Sequence, residues 1–339
     1  MRLDRFEVPG LAHYSYVLSS GGRAAVIDPR RDIDAYLDYA AANELEIAAI
    51  LETHIHADYA SGARQLVSST GAELRLSAHD DGERYAYAFP HTPMRHDDEL
   101  RLGSLRLVAL HTPGHTPEHL SFAVFDEDRC STQPVALFTG DFLLVGSLGR
   151  PDLIDGEERR LAAALYGSVR DRLGSLPEGL ELYPAHGAGS LCGAGMNERP
   201  QSTLGYERLC NPYLKMTSRE EFIEAILASA PPRPPYYARM KRVNGDGPPL
   251  LDGIPGGAML SPAELRRRLD GGAVVIDLRR PEAFGGAHIP GAFNIGSGKR
   301  LAMWASWVAP YDRPIYLAGD ADTDYLEARR ALIRVGLDD

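Results

Sequence analysis

Lysine is scarce in this chain: only three of the 36 basic residues are lysine, a bias that carries no functional reading. Cysteine is scarce too. Cys130, Cys192 and Cys210 are too few, and too odd in number, for a disulfide framework. Positive charge is in deficit, with a formal net charge of −11 at pH 7. Gripping a phosphate backbone needs a basic face, so nucleic acid is not an expected partner. No apolar run is long enough to cross a bilayer. The opening Met-Arg-Leu-Asp-Arg lacks the apolar core of a signal peptide, so we expect a cytoplasmic protein without a membrane partner. There is no internal repeat. What remains is ordinary: 44% hydrophobic and 24% charged residues suit a soluble globular protein, and 339 residues accommodate two domains.

The most informative segment reads Glu-Thr-His-Ile-His-Ala-Asp-Tyr-Ala-Ser-Gly over residues 52–62. His54, His56 and Asp58 follow the apolar run 47–51, which reads as a buried strand, and precede 60–67, which reads as a helix start. Three metal-competent side chains thus share one loop at the carboxyl end of a strand, where open α/β folds build sites. Their closeness in sequence lets them converge on a cation with little loop-closure cost.

The first half alternates short strands and helices. Residues 14–18 and 24–27 read as strands, 33–42 as a helix, and 74–77, 105–110, 120–125 and 135–138 as further strands. Residues 157–173 have helical spacing, with Leu161, Leu165 and Val169 on one face, and 180–183 is a short strand. Residues 231–256 are rich in proline and glycine and read as a linker, stiff in its first part. The rhythm then restarts. Ser261 is an N-cap with Glu264 three residues on, leading a helix over 262–269. Strands at 273–276 and 314–317 and a helix at 325–335 complete a small α/β unit.

Three more motifs supply ligand types, each at a strand end: Thr112-Pro-Gly-His115, Thr139-Gly-Asp141 and Pro184-Ala-His186-Gly187. Imidazole and carboxylate together suit zinc, iron or manganese. Among the other histidines, His13, His79, His91, His96 and His288 read as satisfied core or surface residues.

The four motifs in this order resemble the metallo-β-lactamase superfamily over about residues 1–225. The resemblance implies an αββα sandwich with metals at one edge. In most hydrolases of that superfamily the first motif ends in a histidine, which completes a second metal site. By that pattern the first site uses His54, His56 and His115, and the second Asp58, His186 and a bridging Asp141. Here the completing position is Tyr59, and a phenol with a pKa near about 10 is a poor divalent-metal ligand at neutral pH.

The persulfide dioxygenases (sulfur dioxygenases) fit better. They share the sandwich and bind one ferrous iron per chain. That resemblance implies His54, His115 and Asp141 as iron ligands, and His56, Asp58 and His186 as neighbours that orient ligands, substrate or water. The runs 116–122, 140–152 and 186–193 also look like this family. The implied reaction takes a thiol persulfide R–S–SH and O2, places both oxygen atoms on the outer sulfur, and with water releases sulfite and R–SH.

His119 is a candidate orienting donor or a plain turn histidine. Arg150 would either meet the carboxylate or phosphate of the thiol carrier, or pair with Asp152. Cys192 would either take part in sulfur transfer or simply pack in its glycine-rich loop.

The segments 275–279, 281–284 and 286–295 resemble the rhodanese family over about residues 257–339. Rhodaneses carry sulfur on a cysteine after a buried strand. Here that position is followed by Ala318-Gly-Asp-Ala-Asp-Thr-Asp324, with no cysteine and three aspartates that would raise a thiolate's pKa. The expected organisation is a metallo-β-lactamase-like domain at 1–230, a linker at 231–256, and at 257–339 a rhodanese-like domain without sulfur-transfer activity. That last domain would instead serve as a docking surface for a sulfur-transfer protein or for a second copy of the chain.

Two rival functions stand beside the dioxygenase. One is a zinc-dependent thioester hydrolase similar to hydroxyacylglutathione hydrolase. The other is a non-enzymatic sulfur-carrier partner.

Overall fold

The computed structural model describes every residue of the chain except Ala258 and Asp339, which fall inside the range expected for the second domain and lie outside the described residues. The chain forms two compact units, one of Met1–Val8 with Ala12–Pro248, the other of Pro9–Leu11 with Pro249–Asp339.

The first unit holds two six-stranded sheets. One runs β1 (Arg2–Val8), β2 (His13–Ser20), β3 (Arg23–Ile27), β4 (Glu46–Leu51), β5 (Glu73–Ser77) and β6 (Thr92–Met94), in that spatial order. The chain then forms β7 (Glu99–Leu102), β8 (Leu105–His111), β9 (Leu120–Asp126) and β10 (Ala136–Gly140). A hairpin of β11 (Leu143–Leu144) and β12 (Ser147–Leu148) follows, and then β13 (Glu181–Pro184) and β14 (Ser202–Thr203). The second sheet is ordered β14-β13-β10-β9-β8-β7.

Side-chain alternation explains the layering. On β2, Tyr16 and Leu18 point into a core shared with Leu105, Leu107, Phe122 and Phe138 of the second sheet. Between them, Val17 points the other way, onto α1 (Asp34–Ala42) and α2 (Ala63–Thr70). The second sheet does the same: Ala123 and Leu137 meet α3 (Glu158–Leu173) and α6 (Arg219–Ser229). Between those helices lie α4 (Leu204–Cys210) and α5 (Pro212–Lys215). The result is the αββα sandwich.

The stretch expected as a linker requires correction. Residues 231–256 include α7 (Tyr237–Asp246), and α7 belongs to the first unit. Its buried residues are Tyr237, Met240, Lys241, Asn244 and Gly245, a helical stripe. The prolines of 231–235 lie before the helix, where a missing N–H costs nothing, and so lead into it rather than space two domains apart. The first unit therefore runs past the expected boundary at 230, to Pro248.

The second unit is a parallel three-stranded sheet ordered β16 (Phe293–Asn294), β15 (Val274–Asp277), β17 (Ile315–Ala318). Its helices are α8 (Pro262–Asp270), α9 (Pro281–Gly286), α10 (Leu301–Val308) and α11 (Tyr325–Ile333). The Ser261–Glu264 capping box opens α8 as its sequence suggests. No helix among the described residues is long and apolar enough to cross a membrane.

Candidate metal centre

The four ligand motifs meet at the carboxyl ends of β4, β8, β10 and β13. His54, His115 and Asp141 are buried and offer one donor atom each within 4.8 Å of one another. Asp141 Oδ2 lies 3.8 Å from His54 Nε2 and 3.4 Å from His115 Nε2.

Hydrogen bonding fixes which nitrogen each imidazole presents. Thr53 Oγ1 donates to Asp28 Oδ2 at 2.9 Å, so it accepts from His54 Nδ1 at 3.0 Å. His115 Nδ1 donates to the Arg150 carbonyl at 2.9 Å. Both Nε2 atoms are buried without a hydrogen-bond partner. Burial lowers the pKa of both rings, that of His115 to about 4 and that of His54 well below its usual value, so both are neutral. Two neutral imidazoles with anchored Nδ1 and orphaned Nε2 atoms, facing a carboxylate, are the donor set a divalent metal requires. The residues fit the group.

Two glycines make room for this convergence. Gly140 has φ +53°, and a Cβ there would lie 2.4 Å from His119 Nε2 and 2.7 Å from Thr53. A Cβ on Gly149 would lie 2.0 Å from the Asp141 carbonyl oxygen and 2.8 Å from His115 Nδ1. His119 is buried, donates from Nδ1 to Thr112 Oγ1 at 2.9 Å, and accepts the Asp141 backbone N–H at Nε2 at 3.1 Å. It holds the backbone of Asp141 in place.

Asp28 organises the loop from β4. It adopts φ +53°, a left-handed conformation that costs a non-glycine residue about 1–3 kcal/mol. Its carboxylate accepts the Thr53 N–H at 2.7 Å and faces His56 Nε2 at 3.1 Å, and its carbonyl accepts the Tyr59 hydroxyl at 3.2 Å. Burial opposes a charge on His56, but Asp28, with Glu52 and Asp58, outweighs it and raises the pKa. His56 thus holds the Asp28 carboxylate through Nε2, while its Nδ1 is buried without a hydrogen-bond partner. Tyr59 is buried, which raises its pKa well above 10, and its hydroxyl is turned to Asp28.

His186 is wedged between two carboxylates. Its Nδ1 lies 2.7 and 2.9 Å from the two oxygens of Asp141, and its Nε2 lies 2.8 Å from Asp58 Oδ2, off the N–H direction. Burial disfavours the imidazolium, but Asp141 and Asp58 outweigh burial and raise the pKa well above the usual value. Asp58, His186 and Cys192 form a second group with donor atoms within 4.8 Å of one another.

Arg150 and Cys192 each fall on one of the two alternatives their sequence left open, and His13 departs from its expected reading. The Arg150 guanidinium is taken up by Asp152, at 2.6 and 2.7 Å, and by the Leu191 carbonyl at 3.1 Å. In this arrangement it braces the loop beside His115 rather than facing a substrate anion. Cys192 is buried, which, with Asp58 and Asp141, pushes its thiol pKa well up, the reverse of what a sulfur-accepting nucleophile needs. His13, expected to be a satisfied histidine, is buried with both ring nitrogens unpartnered, its ring 4.0 Å from that of Tyr59 and 5.6 Å from that of His186.

Residues on α7 and beside it went unseen in the sequence. Tyr236, Lys241 and Asn244 all bond to the 54–61 loop. The signal was the spacing 237, 240, 241, 244, 245, a buried stripe with a lysine and an asparagine set into it.

Residues 8–186 match the Metallo-beta-lactamase superfamily and residues 261–339 the Rhodanese-like domain. The chain is 31% identical to persulfide dioxygenase ETHE1, mitochondrial, of Mus musculus, covering 64% of this chain and 77% of that one. It is 32% identical to hydroxyacylglutathione hydrolase of Anaeromyxobacter dehalogenans (strain 2CP-C), covering 61% and 83%. The crystal structure of a metallo-beta-lactamase from Staphylococcus aureus subsp. aureus COL aligns over 100% of this chain and 97% of its own, with a TM-score of 0.86 and 33% identity. The chain belongs to the metallo-β-lactamase superfamily and carries a rhodanese-like domain after the sandwich.

Proposed function

We propose that this protein is a persulfide dioxygenase with one ferrous ion per chain, held by His54, His115 and Asp141. The observation that carries the reading is the contrast at the β4 loop. His54 and His115 present unpartnered Nε2 atoms to Asp141, while the Tyr59 hydroxyl, at the position that completes a second metal site in most hydrolases of the superfamily, is committed to Asp28. Two imidazoles and one carboxylate on one face of iron leave positions for ligands, and bound iron supplies the redox chemistry of the oxygenation.

The chain's own groups do the rest. Asp141 offsets the metal's charge. His186 ties Asp141 to Asp58 and keeps a proton at Nδ1 against the Asp141 carboxylate. Full burial of His54, His115 and Asp141 keeps bulk water from the donors. The net reaction balances as R–S–SH, O2 and water giving R–SH, sulfite and two protons. The test is oxygen uptake and sulfite release by the anaerobically iron-loaded chain with glutathione persulfide. One sulfite per O2 consumed supports the reading, and no uptake across several persulfides overturns it.

One observation favours a second reading. Asp58, His186 and Cys192 could hold a second cation, which would suit a zinc-dependent thioester hydrolase like the relative from A. dehalogenans. Two zincs per chain with thioester cleavage and no oxygen uptake would establish it.

A further inference from the structure

The loop that delivers His54, His56 and Asp58 has almost no ladder of its own. It crosses from β4 to α2 through buried residues, and its backbone groups need partners from elsewhere. Lys241 Nζ donates to the Ile55 carbonyl at 2.9 Å, while Glu118 Oε1 accepts the N–H of the same residue at 2.8 Å. The peptides on either side of Ile55, between the two histidines, are thus gripped by an ammonium and a carboxylate. The Asn244 amide donates to the carbonyls of His56, at 2.8 Å, and Tyr59, at 2.7 Å, and accepts the Ser61 N–H at 2.9 Å. The Tyr236 hydroxyl donates to the Asp58 carbonyl at 3.2 Å.

The helix behind these side chains is itself pinned. Arg64 on α2 donates to the carbonyls of Gly247, at 2.9 Å, and Pro248, at 3.0 Å, and the Gly245 carbonyl accepts the Ala88 N–H at 2.8 Å. A Cβ on Gly245 would lie 2.8 Å from the Ala86 carbonyl oxygen, so the helix sits close against that segment.

We propose that α7 is the clamp of the metal loop, with Lys241 and Asn244 as positioning residues for the metal centre. Burying an ammonium and a fully bonded amide in a helix stripe is costly, and apolar residues would seat the helix more simply. Lys241 and Asn244 act instead on the peptide groups that aim His54, His56 and Asp58. Residues that orient metal ligands typically change affinity by about 10–100-fold when removed. The inference rests on His54, His115 and Asp141 being the metal ligands, as in the proposed function, and not on which metal they hold.

The test uses the full chain. Lys241→Met keeps the length and loses the donor. Asn244→Asp keeps the shape, loses both donors and turns a carboxylate toward two carbonyls. Each should raise the Fe2+ dissociation constant about 10–100-fold in an anaerobic titration and shift the visible absorption of the Co2+-substituted protein. Met240→Leu, on the same stripe but with no polar contact to the loop, should change neither. Folded Lys241→Met and Asn244→Asp proteins with wild-type affinity and spectrum overturn the proposal. Should those two fail to fold, Tyr236→Phe decides: it removes one hydroxyl, and an unchanged cobalt spectrum overturns the proposal. Wild-type protein that binds metal at this trio without consuming oxygen would overturn the dioxygenase reading and leave the clamp standing.

Discussion

The two units use the carboxyl ends of their strands in opposite ways. In the first, the loops after β4, β8, β10 and β13 gather buried donors into two neighbouring groups, and Thr53, Asp28, His119, Arg150 and α7 satisfy many of the polar atoms around them. In the second, the loop after β17 turns Asp320, Asp322 and Asp324 to solvent and hydrogen-bonds to its own chain. Asp324 caps α11 through the Glu327 N–H at 2.9 Å, and Thr323 Oγ1 accepts the Asp320 N–H at 2.9 Å. A strand end is a place where a site can be built, but the chemistry comes from the side chains set there and from what holds them.

The largest expected effect lies at a donor. His115→Ala or Asp141→Asn should weaken metal binding by more than about 100-fold, beyond the range for residues that only orient a ligand. Metal analysis after dialysis checks it, and either variant keeping one metal per chain would contradict the ligand set. Next in size is Thr53→Val, which leaves His54 Nδ1 and Asp28 Oδ2 without their shared hydroxyl. We expect a loss of about 10–100-fold in Fe2+ affinity by titration.

Thiol chemistry sharpens the contrast at a finer scale. Cys130 forms a hydrogen bond to Thr132 that lowers its pKa, whereas burial raises that of Cys192. Peptide mass spectrometry after persulfide exposure should find added sulfur at Cys130 before Cys192. The smallest effect belongs to the second unit. Asp324→Ala should cost about 1 kcal/mol of stability through the lost cap, seen in thermal unfolding, with Fe2+ affinity unchanged. In the same unit, thiosulfate–cyanide transfer should stay at background for want of a cysteine.

Much of this was legible in the sequence, for reasons that can be named. His54, His115, Asp141 and His186 each follow a short apolar run, so a strand reading puts all of them at strand ends without any knowledge of the sheet order. The strand read over 14–18 matches β2 to within two residues at each end. The edge strand β1 escaped because Arg-Leu-Asp-Arg-Phe-Glu-Val is mostly polar and becomes a strand through its antiparallel pairing with β2. The helix α7 escaped because flanking prolines and glycines look like a spacer, and because a lysine and an asparagine interrupt its buried stripe. Both residues are there for the loop carbonyls, a partner no local pattern reveals. His13 looked ordinary because a lone histidine carries no spacing, and only its bridge to His186 across the sheet end places it beside the site.

The most direct test of the account is metal analysis of the full chain purified without oxygen, coupled to oxygen uptake with glutathione persulfide. The expected result is one iron per chain, lost together with oxygen uptake in Asp141→Asn. Two zinc ions per chain, with thioester cleavage and no oxygen consumed, would contradict it.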